Sequence, residues 1–375
     1  MSGWTSGRVD RVRFGILGAA NIARKNWKAI YNSGNATVVG VASRDRERCQ
    51  RFIDECQQEA PMDKVPRAFS SYEELLACPE VDAVYLPIPT GVRKEWALRA
   101  AALGKHIVCE KPCTPTVADL EEILAACRRN NVQFMDGVMF MHSRRLSRMK
   151  EVLDDGTSVG ALKRITSAFS FGSTPEFFAE NIRTDSLLEP LGCLGDLGWY
   201  CIRFTLWAMN WRLPLHVTGR AHAQANRPGN PAAVPADFSG EMYFGDGVSA
   251  GFYCSFLAEN QQWAILSGSR GYLQLPDFVL PFQADELGFS VQQTAFKPQG
   301  CDFRMEAREA SYLVPESSQG RPDAQESNLF RNFSEQVRSG NVNPLWPEIA
   351  LKTQKITCAC FESARQDGRA VPVTT

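Results

Sequence analysis

A lysine follows a short apolar stretch that is typical of a buried strand. The stretch His106–Cys109 continues directly into Glu110, Lys111 and Pro112. A side chain at the carboxyl end of a parallel strand points into the crevice where doubly wound folds bind their ligands. Proline restricts the backbone of the residue before it, so the direction of the lysine side chain is fixed. The alternative to a functional site is a surface salt bridge between Glu110 and Lys111.

A degraded glycine-rich fingerprint follows the first predicted strand. From Gly18 the sequence reads Gly-x-Ala-x-x-Ala, with Ala20 where a glycine usually lets the backbone approach a pyrophosphate. Because the unpaired N–H groups of a helix N-terminus attract phosphate, we expect a dinucleotide to bind here. A plain strand–turn–helix would show similar spacing. The predicted contacts are Gly18, Ala19, Ala20, Asn21 and Ile22.

The residues after the second predicted strand bear on the choice between two dinucleotides. A fold that prefers NAD places an acidic residue there to bind the ribose hydroxyls, whereas this chain has Ser43 and Arg44. A guanidinium matches the geometry of a 2′-phosphate, so we expect NADP(H) to be preferred over NAD(H). Two alternatives stay open. Ser43 could cap the next helix while Arg44 is solvated, or Asp45 could bind the ribose and reverse the preference.

A doubly wound α/β domain is needed to bring these residues together. Five short apolar runs are typical of buried parallel strands, and amphipathic helical stretches separate them. The alternation predicts an N-terminal Rossmann domain with a parallel sheet over residues 1–137. The five runs are Arg13–Leu17, Thr37–Ala42, Ala83–Pro87, His106–Cys109 and Gln133–Asp136.

The pattern changes from about Val138 onward. Short alternating runs predict an open, mostly antiparallel sheet with helices on one face, which gives the whole chain an α/β plus α+β fold. We expect this second domain, residues 138–375, to bind substrate, to mediate oligomerisation and to end in a helix over about 347–366. Gly245-Asp246-Gly247 predicts a hairpin turn. The stretch Phe296–Gly320 is predicted to be irregular.

The uncovered face of that sheet is expected to be an association surface. Phe252, Tyr253 and Trp263 would be exposed there, and an apolar patch of this kind marks a site of protein–protein contact.

The composition excludes several classes of protein. The chain has 375 residues, and 41 Lys plus Arg against 42 Asp plus Glu leave no basic excess for a nucleic-acid backbone. No apolar run approaches the ~18 residues of a membrane-spanning helix, and the polar stretch Met1–Arg13 has no signal-peptide core. The 12 cysteines include no Cys-x-x-Cys, and only 4 histidines accompany them. We therefore expect no metal site, and buried reduced thiols in a cytoplasmic protein.

Several of these features together resemble the Gfo/Idh/MocA oxidoreductases, a family named for glucose–fructose oxidoreductase, inositol dehydrogenase and a rhizopine-catabolism protein. The shared features are the fingerprint, Ser-Arg after the second strand, Pro89-Thr90 after the third run and Glu110-Lys111-Pro112 after the fourth. The stretch Leu191–Tyr200 looks like the family's second signature, a glycine-rich lead into an Asp and Gly followed by His or, in one branch, Tyr. The branch most similar is a set of plant proteins described as AX110P-like oxidoreductases. Dimeric dihydrodiol dehydrogenases and glucose–fructose oxidoreductase are more distant.

The resemblance implies a mechanism. Lys111 and Tyr200 would lie beside the nicotinamide ring, and Tyr200 would act as general acid or base on the substrate oxygen. The Lys111 ammonium would lower the pKa of Tyr200 from its usual value of about 10. Asp196 lies one helical turn before Tyr200. Three roles stay open for Asp196: it could orient Lys111, hold the substrate, or cap the helix that starts near Leu197.

The resemblance also implies further ligand contacts. Ile88, Pro89, Thr90, Glu110 and Lys111 would contact the cofactor. Arg183, His142, Asp196 and Tyr200 would contact the substrate, although His142 could equally be a core histidine and Arg183 a surface charge. Arg93 replaces the usual family histidine, and it could contact an anionic group or be an exposed residue at a helix start.

These features favour an NADP(H)-dependent oxidoreductase that acts on a sugar, polyol, dihydrodiol or small dicarbonyl. Family members commonly dimerise through the open sheet, so the resemblance implies a homo-oligomer, a dimer or tetramer. The alternative is a non-catalytic dinucleotide-binding sensor on the same fold, since fold alone does not fix chemistry. Such a sensor would not need both Lys111 and Tyr200. A third possibility is a hydrolase that uses the cofactor in a transient redox cycle.

Overall fold

Six parallel strands form the first sheet, and they confirm the predicted doubly wound architecture. The computed structural model describes residues 11–374, so most of the stretch Met1–Arg13 lies outside the described residues. The strands are Val12–Leu17 (β1), Ala36–Ala42 (β2), Arg67–Phe69 (β3), Ala83–Leu86 (β4), His106–Cys109 (β5) and Phe134–Asp136 (β6). Their order is β3-β2-β1-β4-β5-β6, so the winding reverses between β1 and β4. Doubly wound sheets bind ligands at this switch point, at their carboxyl edge.

Five helices cover the two faces of this sheet. They are Asn21–Ser33 (α1), Arg46–Glu59 (α2), Tyr72–Ala77 (α3), Thr90–Ala102 (α4) and Val117–Arg129 (α5). Alternate residues of β4 enter different apolar clusters, Ala83 and Tyr85 on one face and Val84 and Leu86 on the other. Only β3 was not predicted, because just one of its three residues, Phe69, is buried, so the sequence Arg-Ala-Phe shows no apolar run.

The second sheet has nine strands and confirms the predicted mostly antiparallel architecture. They are Leu162–Ser170 (β7), His216–Ala225 (β8), Val234–Tyr243 (β9), Ser249–Ser255 (β10), Ala264–Gly268 (β11), Tyr272–Leu275 (β12), Glu286–Gln299 (β13), Asp302–Pro315 (β14) and Val371–Pro372 (β15). The order is β14-β13-β12-β11-β7-β10-β9-β8-β15. Only the central pair β7 and β10 is parallel. The predicted turn at residues 245–247 joins β9 to β10, with Asp246 and Gly247 in the left-handed region.

The prediction of an irregular stretch over Phe296–Gly320 was wrong. Most of it belongs to a long hairpin, in which β13 and β14 pair over 14 positions. Only three residues of β13 also pair with β12, so the outer part of the hairpin extends beyond the sheet. Both faces of the outer part contact solvent, and no buried face imposes the apolar alternation that identifies a strand in sequence.

The structure describes five α-helices between residues 138 and 374, the part of the chain that is called its second half below. They are Arg144–Asp154 (α6), Pro175–Glu180 (α7), Trp199–Ala208 (α8), Gln325–Arg338 (α9) and Leu345–Arg365 (α10), and a π-helical turn at Leu194–Gly198 leads into α8. All ten residues of α8 are buried. The division of the chain near residue 137 stays a prediction, because α9 returns to the first sheet, where Phe330 and Phe333 pack on Phe14.

A buried ion pair joins the two halves of the chain. Arg203 of α8 donates two hydrogen bonds to the Asp136 carboxylate at the end of β6, at 3.2 and 2.6 Å, and one to Thr353 of α10 at 2.7 Å. Both charged side chains are 0% exposed. The indole of Trp199 also donates to Asp136. The pair therefore ties together three elements that pack around the carboxyl edge of the first sheet.

The open face of the second sheet is more polar than predicted. Phe252 is buried and stacks near Phe238 under the helices, so its predicted exposure was wrong. Successive strand residues point to opposite faces, so Phe252 and Tyr253 cannot share the open face. Tyr253 and Trp263 are half-buried. Arg164 and Glu241 form an ion pair on the open face.

Among the helices described for residues 11–374, none combines the length and the apolar character that crossing a membrane requires.

We expect Arg203→Met to lower the free energy of unfolding by about 3–5 kcal/mol, because it leaves the buried Asp136 carboxylate without its cation. Chemical denaturation of the purified protein measures this loss. Arg212→Met is the matched control, since Arg212 lies 3.5 Å from an exposed carboxylate, that of Asp246, and should cost less than about 1 kcal/mol. Equal losses in the two variants would contradict the importance of the buried pair.

Candidate active site

A deep cleft lies at the carboxyl edge of the parallel strands, between the two sheets. Its volume is about 900 Å³, a size typical of sites for cofactors and small molecules. The cleft is lined by residues from both parts of the chain, before and after residue 137. Eight of the residues predicted from sequence are among them: Ile22, Ile88, Pro89, Glu110, Lys111, Arg183, Asp196 and Tyr200.

Lys111 points into this cleft from the end of β5. Its ammonium donates to the Asp196 carboxylate at 2.5 Å and to the Asp196 backbone carbonyl at 2.8 Å. The Lys111 side chain is 10% exposed and that of Asp196 is 13% exposed. The alternative of a surface salt bridge with Glu110 was therefore wrong.

Asp196 holds a second cation as well. The Arg183 guanidinium donates to its other carboxylate oxygen at 2.7 Å. Burial alone would raise the pKa of Asp196, but Arg183 and Lys111 outweigh burial and hold that pKa at about 2. Asp196 lies within the π-helical turn and makes no helix-capping bond, so of its three possible roles the structure favours the one that orients Lys111.

Tyr200 lies on α8 with its phenol in the same cleft. The hydroxyl donates weakly to the Met139 sulfur at 3.7 Å, and the ring packs against Phe140 and Phe169. The Lys111 ammonium lies 4.9 Å from the ring centroid, over the ring face. Burial, followed by the negative charges of Glu110 and Asp196, raises the pKa of Tyr200 well above its usual value. The expected net lowering of this pKa was wrong, because burial and the two carboxylates outweigh the nearby cations.

The N-terminus of α1 is open to an anion. Gly18 has φ +114°, a backbone conformation that residues with a side chain rarely adopt. A Cβ at this position would lie 3.1 Å from the Ile88 side chain. No side chain caps α1, whose N-cap is Ala20, and its first turn contains no acidic residue. Unsatisfied N–H groups next to a close backbone turn fit the pyrophosphate of a dinucleotide.

Arg44 lies in the loop after β2, and Arg48 lies in the first turn of α2. Asp45 is the N-cap of α2 and accepts a hydrogen bond from the Arg48 N–H at 3.0 Å, so the alternative in which Ser43 caps this helix was wrong. Arg44 is exposed. Burial raises the pKa of Tyr72, while the positive charges of Arg44 and Arg48 oppose that rise. Sequence reasoning missed Arg48, although its position at the start of the same helix was a usable signal.

Glu110 is fixed by two residues that sequence reasoning also missed. The buried Tyr85 hydroxyl donates to the Glu110 carboxylate at 2.5 Å. The Asn26 amide donates to the Tyr85 oxygen at 2.5 Å and to Glu110 at 3.3 Å. Asn26 lies on the otherwise apolar face of α1, and this polar interruption was the available signal.

Arg93 is buried at the wall of the cleft, so the alternative of an exposed residue at a helix start was wrong, while contact with an anionic group stays a prediction. It is 2% exposed, and its guanidinium donates to the carbonyls of Ile88, Glu110 and Pro112. Arg93 therefore joins the loop after β4 to the loop after β5. Thr90 is fully buried, and its N–H and hydroxyl both donate to Glu189. Thr90 therefore exposes no surface to a cofactor, contrary to the predicted contact.

His142 lies in the core, which corrects its predicted contact with substrate. Its ring stacks on Trp346 at a centroid distance of 4.7 Å, and the Asn332 amide lies 3.0 Å from its Nδ1. Burial, followed by the charge of Arg203, lowers the pKa of His142 to about 3. A neutral, stacked histidine of this kind has a structural role.

Two family models match most of the chain. The NAD-binding Rossmann fold of the GFO_IDH_MocA oxidoreductase family matches residues 12–138. The GFO/IDH/MocA C-terminal domain matches residues 146–274.

Curated relatives carry dehydrogenase and reductase names. D-xylose 1-dehydrogenase (NADP(+)) 2 of Haloferax volcanii is 30% identical over 84% of this chain and 92% of its own length. A dTDP-3,4-didehydro-2,6-dideoxy-alpha-D-glucose 3-reductase of Saccharopolyspora spinosa is 31% identical over 69% of this chain and 73% of its own length. The trans-1,2-dihydrobenzene-1,2-diol dehydrogenase of Mus musculus is 28% identical over 76% and 80%. The similarity to plant AX110P-like proteins stays a prediction.

Solved structures share the fold. The 3-ketoreductase KijD10 of Actinomadura kijaniata, in complex with NADP and TDP-benzene, has a TM-score of 0.78 at 22% identity and covers 94% of this chain and 98% of its own. The aldose–aldose oxidoreductase of Caulobacter crescentus, complexed with glycerol, has a TM-score of 0.77 at 19% identity and covers 96% and 99%.

The ion pairs of Asp196 predict how stability depends on pH. Its folded pKa of about 2 lies below the ordinary value of 3.8, so its contribution is present above pH 4 and is lost as the pH falls towards 2. The shift corresponds to about 2–3 kcal/mol. We expect Asp196→Asn to be less stable than wild type near pH 6, and the difference to shrink as the pH falls to 2.

Urea unfolding at a series of pH values measures this difference. Asp63→Asn is the control, since its side chain is 81% exposed and the substitution should produce no comparable trend. A constant difference between Asp196→Asn and wild type across the same pH range would contradict the interpretation.

Proposed function

The chain belongs to the Gfo/Idh/MocA oxidoreductase family, and from that premise we propose that it is an NADP(H)-dependent enzyme that transfers hydride between nicotinamide and a sugar, polyol, dihydrodiol or small dicarbonyl. The observation that carries the proposal is the convergence of Lys111, Asp196 and Tyr200 in one cleft. A protein that only bound a dinucleotide would not need this buried, charge-balanced group beside a phenol.

A neutral Tyr200 phenol can serve as the proton donor in carbonyl reduction. When bound, the nicotinamide exchanges the hydride. Tyr200 is a neutral phenol because burial and nearby carboxylates raise its pKa. It can therefore donate its proton to the substrate oxygen as negative charge develops there, and the resulting phenolate then recovers a proton from solvent. Lys111, which lies over the Tyr200 ring, stabilises that transient negative charge.

The arginines after β2 support NADP(H) as the cofactor. The positive charges of Arg44 and Arg48 both act on Tyr72, and guanidinium groups bind a phosphate strongly through charge-assisted hydrogen bonds. The Asp45 carboxylate already accepts a bond at the start of α2, which reduces its suitability as a ribose ligand. The name of the Haloferax relative includes NADP(+), and KijD10 was solved with NADP.

The walls of the cleft support a hydroxylated substrate. Phe169, Phe171 and Trp263 provide aromatic faces, and the Trp263 indole holds the Gln261 amide oxygen at 2.8 Å. Aromatic faces with a few fixed polar groups suit a molecule that presents both C–H and O–H surfaces. The relatives named above act, by their names, on xylose, a deoxysugar nucleotide and a dihydrodiol.

We further propose a cytoplasmic homo-oligomer that binds neither nucleic acid nor membranes. The twelve cysteines are free and ten of them are buried, as suits a reducing compartment. The outer hairpin carries Phe296, Phe303 and Met305, which are 55%, 77% and 62% exposed. By the register of β13 and β14 with β12, these three side chains lie on the same side as the open face of the sheet. A second copy of the chain against that face would cover them.

A panel of aldoses, dicarbonyls and dihydrodiols, each tested with NADPH or NADP⁺ at the absorbance of the reduced nicotinamide, tests the activity. With the best substrate, Tyr200→Phe should lower kcat by about 10²–10⁴-fold, because the proton donor is lost. The same variant should still be protected by NADPH against thermal unfolding. Tyr31→Phe, at an exposed position of α1, should keep wild-type activity. A wild-type protein that NADPH does not stabilise would refute the proposal.

The cofactor preference is tested by fluorescence titration with NADPH and NADH. Arg44→Ala should raise the Kd of NADPH by about tenfold or more, through loss of a charge-assisted hydrogen bond, and leave the Kd of NADH unchanged. Arg48→Ala should weaken NADPH binding similarly. Arg51→Ala, at an exposed position of the same helix, is the control. Equal weakening of both cofactors by Arg44→Ala would contradict a 2′-phosphate contact.

A further inference from the structure

A glutamate from the second half of the chain caps a helix of the first sheet. Glu189 lies between the short 3₁₀ turn Ile182–Thr184 and the π-helical turn that contains Asp196, and it lines the cleft. Its two carboxylate oxygens accept bonds from the Thr90 N–H at 3.0 Å and from the Thr90 hydroxyl at 2.6 Å. Thr90 is the first residue of α4, so Glu189 accepts a hydrogen bond from a backbone N–H that the helix itself leaves without a partner.

This capping is not local, whereas α2, α3 and α5 are capped by the side chain of their own N-cap residue. The N-cap of α4 is Pro89, which makes no side-chain capping bond. A second contact reinforces the first, since the Gly91 N–H donates to the Leu188 carbonyl at 2.8 Å. A Cβ at position 91 would overlap the Leu187 carbonyl, so only glycine permits this close approach. Residues 187–189 are therefore fitted tightly onto the start of α4.

The same contact reaches the lysine loop. The Thr90 hydroxyl also lies 3.3 Å from the Pro112 carbonyl, directly after Lys111. On the other side, the chain runs from Glu189 to Asp196, which binds the Lys111 ammonium. Glu189 is thus placed between the loop that would hold a cofactor and the carboxylate that orients Lys111.

We propose that Glu189 is a positioning residue that connects the two halves of the chain, a role we call a latch. It holds the Pro89–Thr90 loop in the conformation that accepts the cofactor, and it keeps Asp196 in place to bind Lys111. The inference rests on the proposed function and adds to it a residue that would touch neither the nicotinamide nor the reacting carbon of the substrate. Loops that are already ordered before binding lose less conformational freedom on binding, so the latch strengthens cofactor affinity through preorganisation.

Geometry and charge give different expectations for the glutamine variant. In Glu189→Gln, the amide oxygen can still accept from the Thr90 N–H. The amide nitrogen can donate to the Thr90 oxygen, whose own proton turns to the Pro112 carbonyl. A latch that acts by geometry therefore survives this change, whereas Glu189→Ala removes both bonds. Burial raises the pKa of Glu189, which makes an essential negative charge at this position costly to maintain.

The test compares full-length wild type, Glu189→Ala, Glu189→Gln, Thr90→Val and the Glu189→Ala/Thr90→Val double variant. NADPH affinity is measured by fluorescence titration, and kcat and KM are measured with the best substrate of the panel. We expect Glu189→Ala to raise the Kd of NADPH and to lower kcat by about tenfold each, with little change in substrate KM. Glu189→Gln should remain within about threefold of wild type, and the double variant should be no worse than Glu189→Ala. Glu180→Ala, exposed at the end of α7, should match wild type.

Three outcomes would overturn the inference. They are a Glu189→Ala variant that binds NADPH and turns over like wild type, a Glu189→Gln variant as impaired as Glu189→Ala, and strictly additive effects of the Glu189 and Thr90 changes. If wild type itself does not bind NADPH, the proposed function fails and the latch fails with it. Normal wild-type binding with an unaffected Glu189→Ala variant refutes the latch alone.

Discussion

The buried carboxylate of Asp196 is the constraint on which the cleft depends. An unpaired carboxylate at that depth would cost several kcal/mol, and the nearest cations are Lys111, from the end of β5, and Arg183, from the second half of the chain. Satisfying Asp196 therefore requires the π-helical turn that contains it to pack against the carboxyl end of β5 in the first sheet. The cleft is the space that remains between the two sheets once that requirement is met, which explains why its polar residues come from both sides.

Charge balance within this group sets the chemistry of its neighbours. Lys111 and Arg183 are matched by Asp196 and Glu110, so Tyr200 experiences little net positive charge, and desolvation decides its protonation. A lysine beside a tyrosine therefore does not imply a tyrosinate, because the partner of the lysine matters as much as its distance. The site instead contains a neutral phenol, with the Lys111 ammonium over its ring.

Features that depend on local pattern could be predicted from the sequence. The strands β1, β2, β4, β5 and β6 are buried on both faces and read as apolar runs, and the glycine at position 18 and Lys111 lie where such strands end. Features that depend on distant partners could not be predicted. Arg93 looks like an exposed helix-start arginine until its carbonyl acceptors are known, and His142 looks like a ligand until Trp346 is stacked on it. The outer hairpin lacks a buried face and so lacks any pattern to predict.

The polar groups around the start of α4 show how the fold prepares the cleft. Arg93 satisfies carbonyls from two loops, and Glu189 satisfies the N–H and hydroxyl of Thr90 from across the cleft. Buried polar groups are costly when unpaired, so any rearrangement of these loops would break several bonds together. In this arrangement Ile88, Pro89 and Lys111 face the cleft. The order that a ligand would otherwise have to impose on binding is already present in the folded chain.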